Sequence, residues 1–236
     1  MLTRVLEPET LDHLAPEDPA AQRARRDLRR VNAFMGARRI LERALARALP
    51  AERSGLRILE IGCGDGHLLL DVAAHRGARW PAARVDLLDR QPIVDDATVA
   101  AYADAGWLAT PVVADVVDWA EGDGERWDAV VANLFLHHFD RTALGRLLAG
   151  CARRADALVA CEPRRSRFAL AASHLIFFLG ANAVTRHDGV LSVRAGFIGD
   201  ELAKAWPADA AAWRVDEYED GPFTHCFCAV RRSAAA

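Results

Sequence analysis

The chain has 236 residues, of which 52% are hydrophobic, and its formal net charge is −3 at pH 7. This length suits one α/β domain with additions, and the near-neutral charge argues against a nucleic-acid-binding protein, for which a strongly basic balance is expected. Residues 1–20 carry acids and prolines and no apolar segment, so no signal peptide is expected. Five cysteines without a regular framework indicate a reducing compartment, and we expect a cytoplasmic protein without a metal site.

Residues 1–50 are predicted to form an arm followed by a helical lid. The first residues are acidic and interrupted by Pro8, Pro16 and Pro19, which predicts an irregular arm with at most one helical turn. Apolar residues then recur at helical spacing over 21–49, which predicts a helix. A domain boundary is expected after residue 50, before the first strand.

The stretch 56–70 reads LRILEIGCGDGHLLL and organises the rest of the chain. A short apolar run predicts a buried parallel strand, five residues form a glycine turn, and helical spacing resumes at His67. Glycines let the backbone approach a ligand closely, and free N–H groups point out of the first helical turn. The candidate ligand residues here are Glu60, Gly62, Cys63, Gly64 and Gly66.

The spacing of the glycines also constrains the ligand. The dinucleotide fingerprint needs a third glycine at position 67, where this chain has His67. Glu60 and Asp65 stand on either side of the turn, and a phosphate group is a poor companion for two acids. A cationic nucleoside without phosphate suits them better.

From residue 56 onward, predicted strands and helices alternate, which indicates a parallel sheet with helices on both faces. Ligands of such sheets collect at the carboxyl ends of the strands. The predicted second strand ends in Asp89, an acid that can accept two hydrogen bonds from a ribose diol. The strand-end residues that we expect in the ligand site are Asp89, Arg90, Asp115, Val116, Asn133 and Leu134.

These strand-end motifs, taken in order, resemble those of class I S-adenosylmethionine-dependent methyltransferases of the bacterial small-molecule type. Glu60 and its three glycines are similar to the family's first motif, E/D-x-G-x-G-x-G, and Asp89 stands where its second motif has an acid. Asp115 matches an acid that in the family often bonds the adenine amino group. The L-H-H at 136–138 is similar to the fourth motif, and the resemblance spans residues 56–162.

The resemblance implies an α/β fold: a Rossmann-like, seven-stranded, mostly parallel sheet with helices on both faces. It also implies an N-terminal helical lid, a methyltransferase domain over 51–236, and S-adenosyl-L-methionine as cofactor. Residues 164–197 do not fit the sheet pattern and are too short and too polar to span a bilayer, so we expect an inserted substrate cap there. Within it, 184–189 is predicted to be a loop. Residues 213–219 and 224–231 would form the closing antiparallel hairpin.

The expected reaction is methylation of a small, hydroxylated aromatic or polyketide-like metabolite, with O-methylation favoured over C-methylation. A hydroxyl acceptor must lose its proton, and histidine has a suitable pKa for that task. His138 is the first choice because it lies one step further out of the strand than His137. His187 is the reserve, since Asp188 could orient it.

Two alternatives remain: an NAD(P)-dependent oxidoreductase on a similar sheet, and a non-catalytic cofactor-binding subunit. The partners expected are a small-molecule methyl acceptor, with neither a nucleic acid nor a membrane span. Three further sequences, DLRRVN at 27–32, NAVTRHD at 182–188 and SVRAGF at 192–197, are similar to a bacterial subgroup often associated with secondary metabolism.

Overall fold

The computed structural model describes residues 2–50, 53–76, 79–207 and 211–232, with Phe177 described by its backbone alone. Seven strands form one sheet. The strand that comes last in the sequence lies inside the sheet and runs antiparallel to both of its neighbours. The strands are β1 (Arg57–Ile61), β2 (Arg84–Asp89), β3 (Leu108–Val113), β4 (Ala129–Asn133), β5 (Ala157–Pro163), β6 (Trp213–Asp220) and β7 (Thr224–Arg231). Their order across the sheet is β3-β2-β1-β4-β5-β7-β6.

Helices cover both faces of the sheet and its carboxyl edge. The helices are α1 (Pro19–Met35), α2 (Ala37–Ala48), α3 (His67–Arg76), α4 (Asp96–Asp104), α5 (Val116–Glu121), α6 (Arg141–Arg154), α7 (Arg167–Ser173), α8 (Ala183–Ala195) and α9 (Glu201–Ala205). Short 3-10 helices lie at Leu11–His13, Leu136–His138 and Ile176–Leu179. The predicted fold class is confirmed.

The order of the strands places a crevice beside β1. The chain passes from β1 outward to β2 and β3, and then returns to place β4 on the other side of β1. The direction of winding therefore reverses between β1 and β4, and ligands of open α/β sheets bind outside the strand ends at such a point.

The central strands β1, β4 and β5 are buried on both faces, as expected for a parallel sheet between two helical layers. Ile58 of β1 points into one core together with Leu41 of α2 and Val72 of α3. The next residue, Leu59, points into the opposite core with Leu147 of α6. Because α2 contributes to the sheet's own core, the described residues before α2, which are the arm and α1, contribute nothing to the two cores. The predicted boundary after residue 50 meets residues 51–52, which lie outside the described part of the chain.

Two predictions of local structure were wrong. The single helix expected over 21–49 is two helices, because Gly36 adopts φ of 71° and ends α1. Glycine accepts this left-handed conformation without steric cost. The loop expected over 184–189 lies inside α8, whose amino terminus is capped by the Asn182 side chain accepting from the Thr185 N–H at 2.8 Å.

The lid helix α1 and helix α8 are joined by buried polar contacts. The Asp27 carboxylate, 1% exposed, accepts a hydrogen bond from the Asn182 backbone N–H at 2.6 Å. The Asn182 side-chain amide in turn donates to the Ala20 carbonyl oxygen at 3.0 Å. The two sequences DLRRVN and NAVTRHD therefore meet in the fold. Among the described helices, none is both long and apolar enough to cross a bilayer.

Candidate active site

A cavity of about 670 Å³ opens at the carboxyl edge of the sheet, between the strand ends, α1 and the 164–197 segment. Small-molecule sites commonly measure roughly 300–1,000 Å³. Gly66 does not line the cavity; its carbonyl oxygen accepts from the Tyr102 hydroxyl at 2.9 Å and closes the turn. The other residues predicted for the cofactor all line the cavity: Glu60, Gly62, Cys63, Gly64, Asp89, Arg90, Asp115, Val116, Asn133 and Leu134.

The glycine turn brings bare backbone to the cavity wall. Gly62 and Gly64 have φ of 63° and 57°, in the left-handed region that favours glycine. A Cβ atom on Gly62 would lie 2.0 Å from the Phe135 ring, so no side chain fits at this position. The Gly64 N–H donates to the Asp89 carboxylate at 2.9 Å, which ties the turn to the end of β2.

Glu60 is an uncompensated buried acid in this wall. Its side chain is 3% exposed, and its Oε2 atom has no hydrogen-bond partner among the described residues. Burial, and to a lesser extent the charges of Asp65 and Asp89, raises the pKa of Glu60 to about 8. Asp65 itself forms an ion pair with Arg29 of the lid helix at 2.8 Å. A bound cation would relieve the repulsion among these acids, whereas a pyrophosphate group would increase it.

The ends of β2 and β3 present two further acids. Both carboxylate oxygens of Asp89 accept backbone hydrogen bonds, from Gly64 and from Gln91, each at 2.9 Å, so its side chain is fixed. Asp115 caps α5 by accepting from the Val117 N–H at 2.7 Å and is exposed to the cavity. Each acid therefore stands at the strand end where it was predicted.

Glu162, at the end of β5, organises the loop that follows β4. Its fully buried carboxylate accepts from the backbone N–H groups of Phe135 at 3.1 Å and Leu136 at 2.8 Å. The same carboxylate lies 2.8 Å from Nδ1 of His137. Leu134 enters this loop with φ of 51°, a left-handed conformation that is unfavourable for leucine. This role of Glu162 was not predicted, although its position at the end of a predicted strand was a usable signal.

The two neighbouring histidines both line the cavity, but their surroundings differ. His137 is 2% exposed, and its Nε2 lies 3.3 Å from the Glu9 carboxylate, so both ring nitrogens face an acid. Burial lowers the pKa of His137, but hydrogen bonds to Glu162 and Glu9 outweigh it and raise the pKa to about 9. The His138 side chain is 22% exposed, with Nδ1 at 3.2 Å from the Asp12 carboxylate.

Glu9 and Asp12 of the N-terminal arm were not predicted for the site. Glu9 is separated from His137 by 128 positions in the sequence, and neither acid belongs to a periodic pattern. In the described chain, Glu9, His137 and His138 also form a group whose ligand atoms lie within 4.8 Å of one another, as a metal site would require. Carboxylates already pair with both nitrogens of His137, so neither ring nitrogen is free to bind a metal ion. The absence of a metal stays a prediction.

His187 lies apart from the cavity. It occupies the exposed side of α8 and is not a lining residue. Its neighbour Asp188 faces the arm, where its carboxylate accepts from the backbone N–H groups of Thr10 and Leu11 at 2.9 Å each. The structure therefore does not assemble His187 and Asp188 as an acid–base pair in the cavity.

An open sheet with a glycine turn after β1 and acids at successive strand ends defines a nucleoside-binding α/β fold of the methyltransferase type. The family of methyltransferase domains matches residues 31–162, more than half of the chain, and the protein belongs to this family. The predicted methyltransferase family is thereby confirmed. No curated protein matches the sequence.

Solved structures share the fold at low sequence identity. An O-methyltransferase family protein from Burkholderia thailandensis is 18% identical with a TM-score of 0.61; the match covers 93% of this chain and 62% of that protein. The pyocyanin biosynthetic protein PhzM is 18% identical with a TM-score of 0.58, over 92% and 60% of the two chains. The plantazolicin methyltransferase BpumL, solved with SAH, is 11% identical with a TM-score of 0.59 and 92% coverage of both chains. The present chain thus spans about three fifths of the length of the first and second of these proteins.

Proposed function

We propose that this protein transfers the methyl group of S-adenosylmethionine to a hydroxyl oxygen of a small aromatic or polyketide-like metabolite. The observation that carries the proposal is that one cavity contains both the glycine turn after β1 with its surrounding acids, here called the cradle, and the pair His137 and His138. The methyltransferase domain family supports the reaction class, and the O-methyltransferase family protein from Burkholderia thailandensis is consistent with an oxygen acceptor.

The cradle fits the cofactor on chemical grounds. The Oε2 atom of the buried Glu60 carboxyl has no partner among the described residues, and the positively charged sulfonium and ammonium groups of S-adenosylmethionine would favour its ionised form. Asp89 and Asp115 are placed to accept hydrogen bonds from hydroxyl and amino groups of a nucleoside. Gly64 leaves room for a ligand against the backbone, since a Cβ atom at this position would meet no atom within 4 Å. The bound cofactor supplies an activated methyl group, so the protein's main task is positioning.

The remainder of the cavity suits an apolar ring system. The lid helix contributes Phe34 and Met35, and the loop after β4 contributes Phe139. The 164–197 segment, which we assign as the substrate cap of a 51–236 domain, adds Ala169, Ala172, Ile176, Leu179 and Val193. Apolar walls with a few convergent polar groups are typical of sites for small organic molecules.

His138 is the group that we assign as the general base. Its Nδ1 faces Asp12, and no described residue pairs with its Nε2, which leaves that nitrogen to accept the hydroxyl proton. His137 is unsuited to this role because carboxylates engage both of its nitrogens. As the proton passes to His138, the acceptor oxygen becomes the nucleophile for the methyl group.

The oxidoreductase alternative is disfavoured by the acids around the turn. Glu60, Asp65 and Asp89 would face the pyrophosphate of a nicotinamide dinucleotide, and His67 occupies the position of the third glycine. Turnover distinguishes an enzyme from a non-catalytic cofactor-binding subunit.

The experiment measures release of S-adenosylhomocysteine with a set of alkyl-substituted mono- and dihydroxybenzenes. His138→Ala is expected to lower turnover by about 10²–10⁴-fold while S-adenosylmethionine affinity stays near wild type. His187→Ala, an exposed histidine outside the cavity, is the matched control and should behave as wild type. Wild-type turnover in His138→Ala across a pH series would remove His138 as the base.

A further inference from the structure

We propose that the N-terminal arm completes the catalytic site, with Asp12 orienting the base His138 and Glu9 holding His137 in place. Asp12 and Glu9 act here as positioning residues. This inference rests on the proposed function, and it concerns two acids that lie far from the family's motifs in the sequence.

Side chains of the arm hold it against the loop after β4, which carries His137 and His138. The Arg4 guanidinium donates to the carbonyl oxygens of His137 and Phe139, each at 3.0 Å, and to that of Ala195 at 2.7 Å. One arginine therefore joins the arm, the loop after β4 and the end of α8. Arg165, itself buried, donates to the Leu2 carbonyl oxygen at 2.9 Å and fixes the beginning of the arm.

Contacts from two other elements fix the part of the arm that carries the acids. Asp188 of α8 accepts from the N–H groups of Thr10 and Leu11, the two residues between Glu9 and Asp12. Beyond β2, Gln91 donates to the Leu14 carbonyl oxygen at 3.1 Å, and Arg90 donates to that of Asp12. The positions of both carboxylates are therefore set by backbone contacts that do not involve the histidines.

Asp12 is placed to select the tautomer of His138. A carboxylate beside Nδ1 favours the neutral imidazole that carries its proton there, which leaves the Nε2 lone pair for the acceptor. The same carboxylate stabilises the imidazolium after Nε2 takes the proton. Burial raises the pKa of Asp12, but the hydrogen bond and charge of His138 and the charge of Arg90 outweigh it, so its pKa is lowered and it stays ionised.

Glu9 has a different task. Its carboxylate accepts from the Ser192 hydroxyl and pairs with Nε2 of His137, while Glu162 pairs with Nδ1. His137 is thus a buried cation between two acids, and it holds the turn from which the His138 ring projects. The two rings lie 4.3 Å apart, centroid to centroid, so a displacement of His137 would displace the base.

The test compares Asp12→Asn and Asp12→Glu with Glu7→Gln as the control. Glu7 is an arm acid that pairs with Arg194 at 3.6 Å and, among the described residues, is not part of the cavity lining. The tautomer of His138 is measured by 15N NMR in the free protein, beside kcat, KM and cofactor affinity. For Asp12→Asn we expect loss of the Nδ1–H tautomer and a fall in kcat of about 10²–10⁴-fold, with cofactor affinity unchanged. Asp12→Glu should recover part of kcat, and Glu7→Gln should match wild type.

Asp188→Asn provides a second route, because it loosens the arm without altering a group that touches either histidine. It should reduce the same NMR signature and lower kcat, and Glu9→Gln should lower the titration midpoint of His137. An unchanged His138 tautomer and unchanged kcat in both Asp12→Asn and Asp188→Asn would overturn the inference while wild-type turnover still supports the proposed function. If the wild type methylates no hydroxylated acceptor, the proposed function fails, whereas the tautomer measurement still decides whether the arm orients His138.

Discussion

Replacing Glu60 with glutamine should change the way in which the stability of the cofactor-free protein depends on pH. The folded protein keeps the Glu60 carboxyl protonated up to about pH 8, whereas in the unfolded chain this group ionises near its ordinary pKa of 4.5. Between these values the folded state binds the extra proton, so the free energy of unfolding falls as the pH rises. The difference between the two pKa values corresponds to a loss of at most about 5 kcal/mol above pH 8, at about 1.4 kcal/mol per pH unit.

Glu60→Gln removes this titration, so the variant should match wild type near pH 5 and exceed its stability increasingly toward pH 9. Urea denaturation at a series of pH values measures the difference, with Glu121→Gln as an exposed control that should leave the profile unchanged. Binding of a cationic cofactor should favour ionised Glu60, so wild type should release a proton on binding at pH 7. Calorimetry in two buffers of different ionisation enthalpy detects that proton. Parallel stability profiles for Glu60→Gln and wild type, with no proton released by wild type, would refute this reasoning.

Two further predictions concern neighbouring parts of the cavity. Asp89→Ala should weaken S-adenosylmethionine binding by about 1–3 kcal/mol through loss of charge-assisted hydrogen bonds, measured by calorimetry, and unchanged affinity would remove Asp89 from the site. His137→Gln should destabilise the fold by about 3 kcal/mol at low pH, where the imidazolium of wild type is fully formed. Because the raised pKa means that this contribution is present below about pH 6.5 and lost toward pH 9, the two unfolding profiles should converge at alkaline pH.

Sequence reasoning located the parts of the site that follow from a parallel sheet. Glu60, Asp89 and Asp115 each stand directly after an apolar run, and parallel strands bring such residues to one edge. The helix α8 was missed because Arg186, His187 and Gly189 interrupt its apolar pattern. Its buried positions include the polar residues Thr185 and Asp188. Asp188 is paired with the arm, whereas the Thr185 hydroxyl has no hydrogen-bond partner among the described residues.

The contributions of Glu9, Asp12 and Glu162 could not be predicted in the same way. Their roles depend on which backbone N–H groups and ring nitrogens they meet, and those contacts arise only when distant segments pack. The arm is held in place by hydrogen bonds from its backbone to Asp188 and from the Arg4 side chain to the loop after β4. Such polar contacts leave no periodic pattern of apolar residues in the sequence that would indicate where the arm packs. The placement of the arm is therefore seen only in the three-dimensional structure.

The contact between Asp27 and Asn182 has a consequence for the order of events in turnover. It joins α1, the proposed lid, to α8, which borders the proposed acceptor pocket, through a carboxylate that is 1% exposed. Separating the two helices would leave the Asn182 N–H without its acceptor and would take from the buried Asp27 carboxylate one of its two partners, the other being Arg30. We therefore expect α1 and α8 to move as one unit. The cofactor product and the methylated acceptor would then both be released by the same movement of α1 and α8, and not by two separate openings.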